Sequence, residues 1–97
     1  MFQRRKQIKS LDDAARHEGK VLRYRGEDGT FVYVKVQRGS VTNFNGGVRG
    51  IRIANEVSPR GVDSLGVLTQ EDLSTKRVET TQERDLKGRK ISYEQEK

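Results

Sequence analysis

The groups able to do chemistry in this sequence are few: one histidine, no cysteine, and 14 carboxylates among 97 residues. A hydrolytic triad needs a base, and His17 is the single candidate. It lies in the polar run Arg16-His17-Glu18, where capping of a helix end or plain solvation competes with a general-base role. Without cysteine, disulfides, thiolate catalysis and cysteine-ligated zinc are excluded. The Asp12-Asp13 and Glu71-Asp72 pairs are adjacent in sequence, and both fit helix starts better than metal binding. Gly46-Gly47-Val48-Arg49-Gly50 is glycine-rich but is neither a dinucleotide fingerprint nor a P-loop, since no lysine plus hydroxyl follows it. The sequence therefore predicts no catalytic residue, no metal, no cofactor and no small-molecule substrate.

Arginine is the residue type with a pattern. Four Arg-Gly pairs occur at 25–26, 38–39, 49–50 and 60–61. Their spacings of 13, 11 and 11 match one strand plus one turn. In a simple meander Arg25 and Arg49 flank turns at one end, and Arg38 and Arg60 flank turns at the other. Such rims suit phosphates or an acidic protein surface. The competing account is that glycine makes the turns and arginine merely flanks them. Arg4, Arg5, Lys6, Arg23 and Arg52 complete the candidate set for phosphate or acidic-surface contact. Phe31 and Tyr33 share strand parity with Lys35 and are the candidates for stacking on bases.

These side chains need elements to hold them. Ser10 fits an N-cap, with Asp12 and Asp13 in the first turn and Gly19 as a stop, so a short helix is expected at about 11–18. The apolar period then becomes two. Val21–Arg25 places Leu22 and Tyr24 on one face and Arg23 and Arg25 on the other. Glu27-Asp28-Gly29 marks a hairpin. In Thr30–Gln37, Val32, Val34 and Val36 oppose Phe31, Tyr33 and Lys35, and which set faces the core stays open. Short strands follow at Val41–Asn45 and Val48–Asn55, with Ile51 and Ile53 inward. Ser58-Pro59-Arg60-Gly61 fits a type I turn, and Val62–Leu68 offers a last strand. Strands this short with regular turns predict a mainly β domain: a small antiparallel barrel or meander of SH3-like or OB-like size, with one short N-terminal helix and extended polar arms.

Composition sets the domain boundaries. Residues 1–68 hold 13 Lys/Arg against 7 Asp/Glu, which accounts for the whole net charge of +6; residues 69–97 hold 7 of each. Of the apolar residues, 25 precede the cut and 5 follow it. The expected organisation is a basic arm at 1–9, a β-rich domain at 10–68 and a polar arm at 69–97. Thr69 fits a helix cap, Gly88 a break, and Lys90–Tyr93 a short strand or docking peptide. The apolar residues of the arms, Phe2, Ile8, Leu73, Val78, Leu86, Ile91 and Tyr93, are then candidates for partner binding.

No apolar run reaches the roughly 20 residues of a membrane span. The basic Met1–Lys9 stretch lacks a following apolar region, so no secretory signal is expected. The expected setting is the cytoplasm or a particle assembled there. The first functional expectation is a non-enzymatic assembly subunit, such as a phage head, neck or tail component, docking through its arms onto a protein partner or copies of itself. The alternative is a small nucleic-acid-binding or regulatory protein that meets phosphates through its arginine-rich face.

Overall fold

A computed structural model describes residues 4–37, 39–55 and 66–87. The fold starts from the hairpin of β1 (Val21–Arg25) and β2 (Phe31–Val36), paired antiparallel from Val21↔Lys35 to Arg25↔Phe31. Asp28 and Gly29 make its turn. The Asp28 carboxylate accepts from the Thr30 amide and hydroxyl, and Gly29 takes φ +88°, which costs glycine little. Alternation then decides the faces. Leu22, Tyr24, Val34 and Val36 are buried in the core, with Val32 packed against it. Phe31, Tyr33 and Lys35 point the other way, so the valines are the core-facing set.

The next strand, β3 (Thr42–Phe44), leads through a tight turn at 45–47 into β4 (Val48–Asn55). The pairing of β4 departs from a simple meander. Its first residues pair with β3 (Phe44↔Val48, Thr42↔Gly50), and its last residues pair with β2 (Val36↔Ile53, Val34↔Asn55). Between them, Gly50–Arg52 pairs with β5 (Val67–Thr69). The strand order is β3-β4-β2-β1-β6, with β5 on β4 and β6 at Glu79–Thr80. All pairings are antiparallel in one sheet, and the sheet does not close into a barrel. The cationic rim expected to join Arg25 and Arg49 is overturned with it. Arg25 lies at the β1–β2 turn, whereas β4 runs antiparallel to β2 and carries Arg49 beyond the opposite end. Arg38, Arg60 and the 58–61 turn lie outside the described residues.

Two short helices close the core. In α1 (Leu11–Ala15) the Ser10 hydroxyl accepts from the Asp13 amide, and Leu11 and Ala14 are buried. The expected helix to residue 18 is shorter here, giving way to a turn that ends at Gly19. The second helix, α2 (Gln70–Thr75), starts from a reciprocal cap: Thr69 accepts from the Asp72 amide while Asp72 accepts from the Thr69 amide. The Gln70 side chain holds the entry to α1, accepting from the Leu11 amide at 3.2 Å and donating to the Lys9 carbonyl at 2.9 Å.

The segments expected as arms join this core where they are described. Lys6–Ile8 runs antiparallel to 78–80. Ile8 N–H donates to the Val78 carbonyl at 2.8 Å, and Thr80 N–H donates to the Lys6 carbonyl at 2.9 Å. Leu73 and Val78 are buried beside Ile8, Leu68 and Ile51. Of the apolar residues after Leu68, Leu73 and Val78 belong to the first core.

Candidate functional site

The face of the sheet turned away from the core collects the arginines and aromatics. The β1–β2 register sets Arg23 opposite Tyr33 and Arg25 opposite Phe31. The Arg23 guanidinium lies 3.8 Å, and that of Arg25 4.4 Å, from the Phe31 ring centre. Phe31 and Tyr33 meet at a tilt, with centroids 6.4 Å apart. A second stack forms on β4, where Arg52 lies 5.3 Å from the centre of the Phe44 ring. Phe44 opposes Val48, and Gly50 stands between Val48 and Arg52 in the even-numbered row of β4.

The two sides of this face differ in charge. Where β1 pairs with β6, Arg23 and Arg5 are neutralised. Arg23 donates to Glu79 at 2.7 Å, Arg5 to Asp85 at 2.7 Å, and Arg23 also lies 3.6 Å from Asp85. The Arg23, Glu79 and Asp85 side chains are only 12%, 14% and 9% exposed, so the pairs are shielded from solvent. Burial alone would push the Asp85 carboxyl up. The Arg5 hydrogen bond, the Gln82 amide and the charges of Arg5 and Arg23 outweigh it and hold Asp85 below the ordinary carboxylate range. Burial likewise opposes charge on Arg23, yet the Tyr33 hydroxyl, Glu79 and Asp85 hold its guanidinium above its ordinary value.

A depressed native value means that ionised Asp85 stabilises the fold. The contribution is complete above the unfolded value near pH 4 and is lost as pH falls through the native one. Asp85→Asn should therefore cost on the order of 2 kcal/mol at pH 7. The gap between variant and wild type should shrink below about pH 4, as urea unfolding at stepped pH would reveal.

Across β2, β3 and β4 the situation reverses. From Gly29 to Asn55 the sequence contains no Asp or Glu, but it contains Lys35, Arg38, Arg49 and Arg52. Arg25, Arg49 and Arg52 are exposed and have no ion pair among the described residues. Arg25 is held in place by donating to the Gly29 carbonyl at 2.6 Å. Arg4 and Lys6 are also exposed. The arginine set proposed from sequence thus divides: Arg5 and Arg23 serve internal pairs, Arg25 and Arg52 lie on the face turned away from the core, and Arg49, in the Ile51–Ile53 row of β4, is exposed at the β3–β4 hairpin.

The stacking candidates divide too. Phe31 is half-buried and lies under guanidinium groups. Tyr33 is 3% exposed and accepts from Arg23 at 3.5 Å, so it offers no ring to a base. Phe44 is absent from the sequence-derived set, although its parity with Val48 and Arg52 was the available signal. Among the partner-binding candidates, Ile8, Leu73 and Val78 are 1%, 3% and 0% exposed and pack into this chain's own core. Leu86 is half-buried and lines an open cleft of about 370 Å³ with His17, Lys20, Thr80 and Thr81. Phe2, Ile91 and Tyr93 lie outside the described residues.

His17 takes the capping role. Its Nδ1 lies 2.9 Å from the Asp13 carbonyl, which can only accept, so Nδ1 carries the proton. No group of three or more His, Asp or Glu residues suited to a metal occurs among the described residues. No described helix is long and apolar enough to cross a membrane. The sequence matches no family model, no curated protein and no solved structure.

Proposed function

We propose that this chain is a non-enzymatic docking subunit of a larger complex, and that its docking surface is the outward face of the sheet. One observation carries the reading: a 27-residue stretch free of carboxylates, Gly29 to Asn55, folds into three strands of one sheet. Arg25, Arg49 and Arg52 have no ion pair among the described residues, whereas Arg5 and Arg23 have them. A surface so divided attracts an anionic macromolecule and orients it. The arms contribute less to docking than composition implies, because Ile8, Leu73 and Val78 are committed to the core.

The test is charge reversal. Arg25 and Arg52 changed together to Glu should elute from immobilised heparin at markedly lower salt than wild type. A control with Arg16 and Lys87 changed to Glu has the same net charge and should elute later than the first variant. Equal elution of the two variants would refute the assigned surface.

A further inference from the structure

We infer that the anionic partner of this face is single-stranded nucleic acid, gripped at two arginine–phenylalanine stacks. The inference rests on the docking surface proposed above and names its ligand. An acidic protein would need only cations. This face also carries three of the chain's six aromatic residues, Phe31, Tyr33 and Phe44. Two of them, Phe31 and Phe44, each support an exposed guanidinium that has no carboxylate partner among the described residues, at 4.4 Å for Arg25 and 5.3 Å for Arg52. A ring behind a guanidinium holds it flat and leaves its outer plane open. That plane stacks on a base, and its edge N–H groups donate to phosphate.

The two stacks share one face by strand alternation. Phe31 and Lys35 are in the same row of β2, Lys35 pairs with Ala54, and Ala54 and Arg52 are in the same row of β4. From Phe31 to Val36, across to Ile53, and on to Val48 is ten residue steps, a contour of roughly 30 Å. Lys35 lies along that course, and Arg49 projects from the far hairpin. A flexible strand can follow such a path and present unpaired bases. A duplex keeps its bases stacked inside and presents phosphate alone, and the described residues form no helix longer than six residues to enter a groove.

The experiment measures fluorescence anisotropy of a labelled oligothymidylate of about 15 nucleotides, beside a duplex of equal length and polyglutamate. Wild type is expected to prefer the single strand. The double variant Arg25→Lys, Arg52→Lys keeps the charge and removes the planar groups. It should lose about tenfold or more in affinity for the oligothymidylate while its elution from heparin stays close to wild type. Both positions are exposed, and a far-ultraviolet circular dichroism spectrum matching wild type verifies folding. Unchanged affinity in the double variant, or a wild-type preference for duplex or polyglutamate, would overturn the ligand assignment and leave the docking surface standing. Failure of wild type to bind any of the three, or heparin, at low salt would overturn both.

Discussion

Leu73→Ala should destabilise the protein by about 2–5 kcal/mol, although residue 73 lies in a segment with the composition of a solvated tail. The side chain is 3% exposed and packs in the same cluster as Leu11, Leu68 and Val78. Truncation removes the transfer energy of the side chain and leaves a cavity, and α2 is too short to hold its place without that anchor. Val78→Ala acts just before β6 and should add a loss of similar kind. A domain of this size has a total stability near the low end of the usual 5–15 kcal/mol, so the two together should leave it largely unfolded at 25 °C. Chemical denaturation of both single variants and the double is the measurement. Midpoints within experimental error of wild type would mean that the segment after Leu68 is not part of the cooperative unit.

Gly50→Ala should be nearly as damaging, by about 3 kcal/mol, for the opposite reason: an atom is added where none fits. A Cβ there would stand 2.6 Å from the Leu68 carbonyl oxygen and 2.6 Å from Val67 Cγ1. The first obstacle is backbone, so relief requires pulling β5 away from β4 and breaking the Gly50↔Thr69 and Ile51↔Leu68 pairings. The comparison is Gly46→Ala. A Cβ at Gly46 meets nothing, and its cost comes from φ +79° alone, on the order of 1 kcal/mol. Thermal melts of the two variants should differ clearly, with Gly50→Ala the lower. If they melt together, the close approach of β5 to β4 is wrong. Gly50 also corrects the expectation that the arginine–glycine pairs mark turns, since this glycine is inside a strand and serves packing.

The strands were legible where period two was strong. Val21–Arg25 and Val48–Asn55 form over the residues that alternation marks, and the caps at Ser10 and Thr69 followed from side-chain chemistry. Strand order was not legible. Nothing local tells that β4 pairs with three partners along its length, because that depends on where β3 ends and on a glycine that admits β5. The candidate face was legible in part, since the parity of Arg23, Arg25, Phe31 and Tyr33 is a property of the sequence. Its electrostatics were not. Arg23 and Glu79 are 56 residues apart and Arg5 and Asp85 are 80 apart, so only the fold reveals which arginines are neutralised. The Arg52–Phe44 stack stayed hidden because it joins two strands across the β3–β4 hairpin, and its register shows only in the fold.

The backbone bonds between Lys6–Ile8 and 78–80 have a consequence for biosynthesis. Those contacts join segments about seventy residues apart, and Leu68, Leu73 and Val78 are core residues that leave the ribosome late. The nascent chain can form the β1–β2 hairpin early, but its hydrophobic surface stays uncovered until residue 80 has emerged. Folding is therefore completed only once residue 80 has emerged, and until then the valine row of β2 is exposed apolar surface that invites chaperone protection.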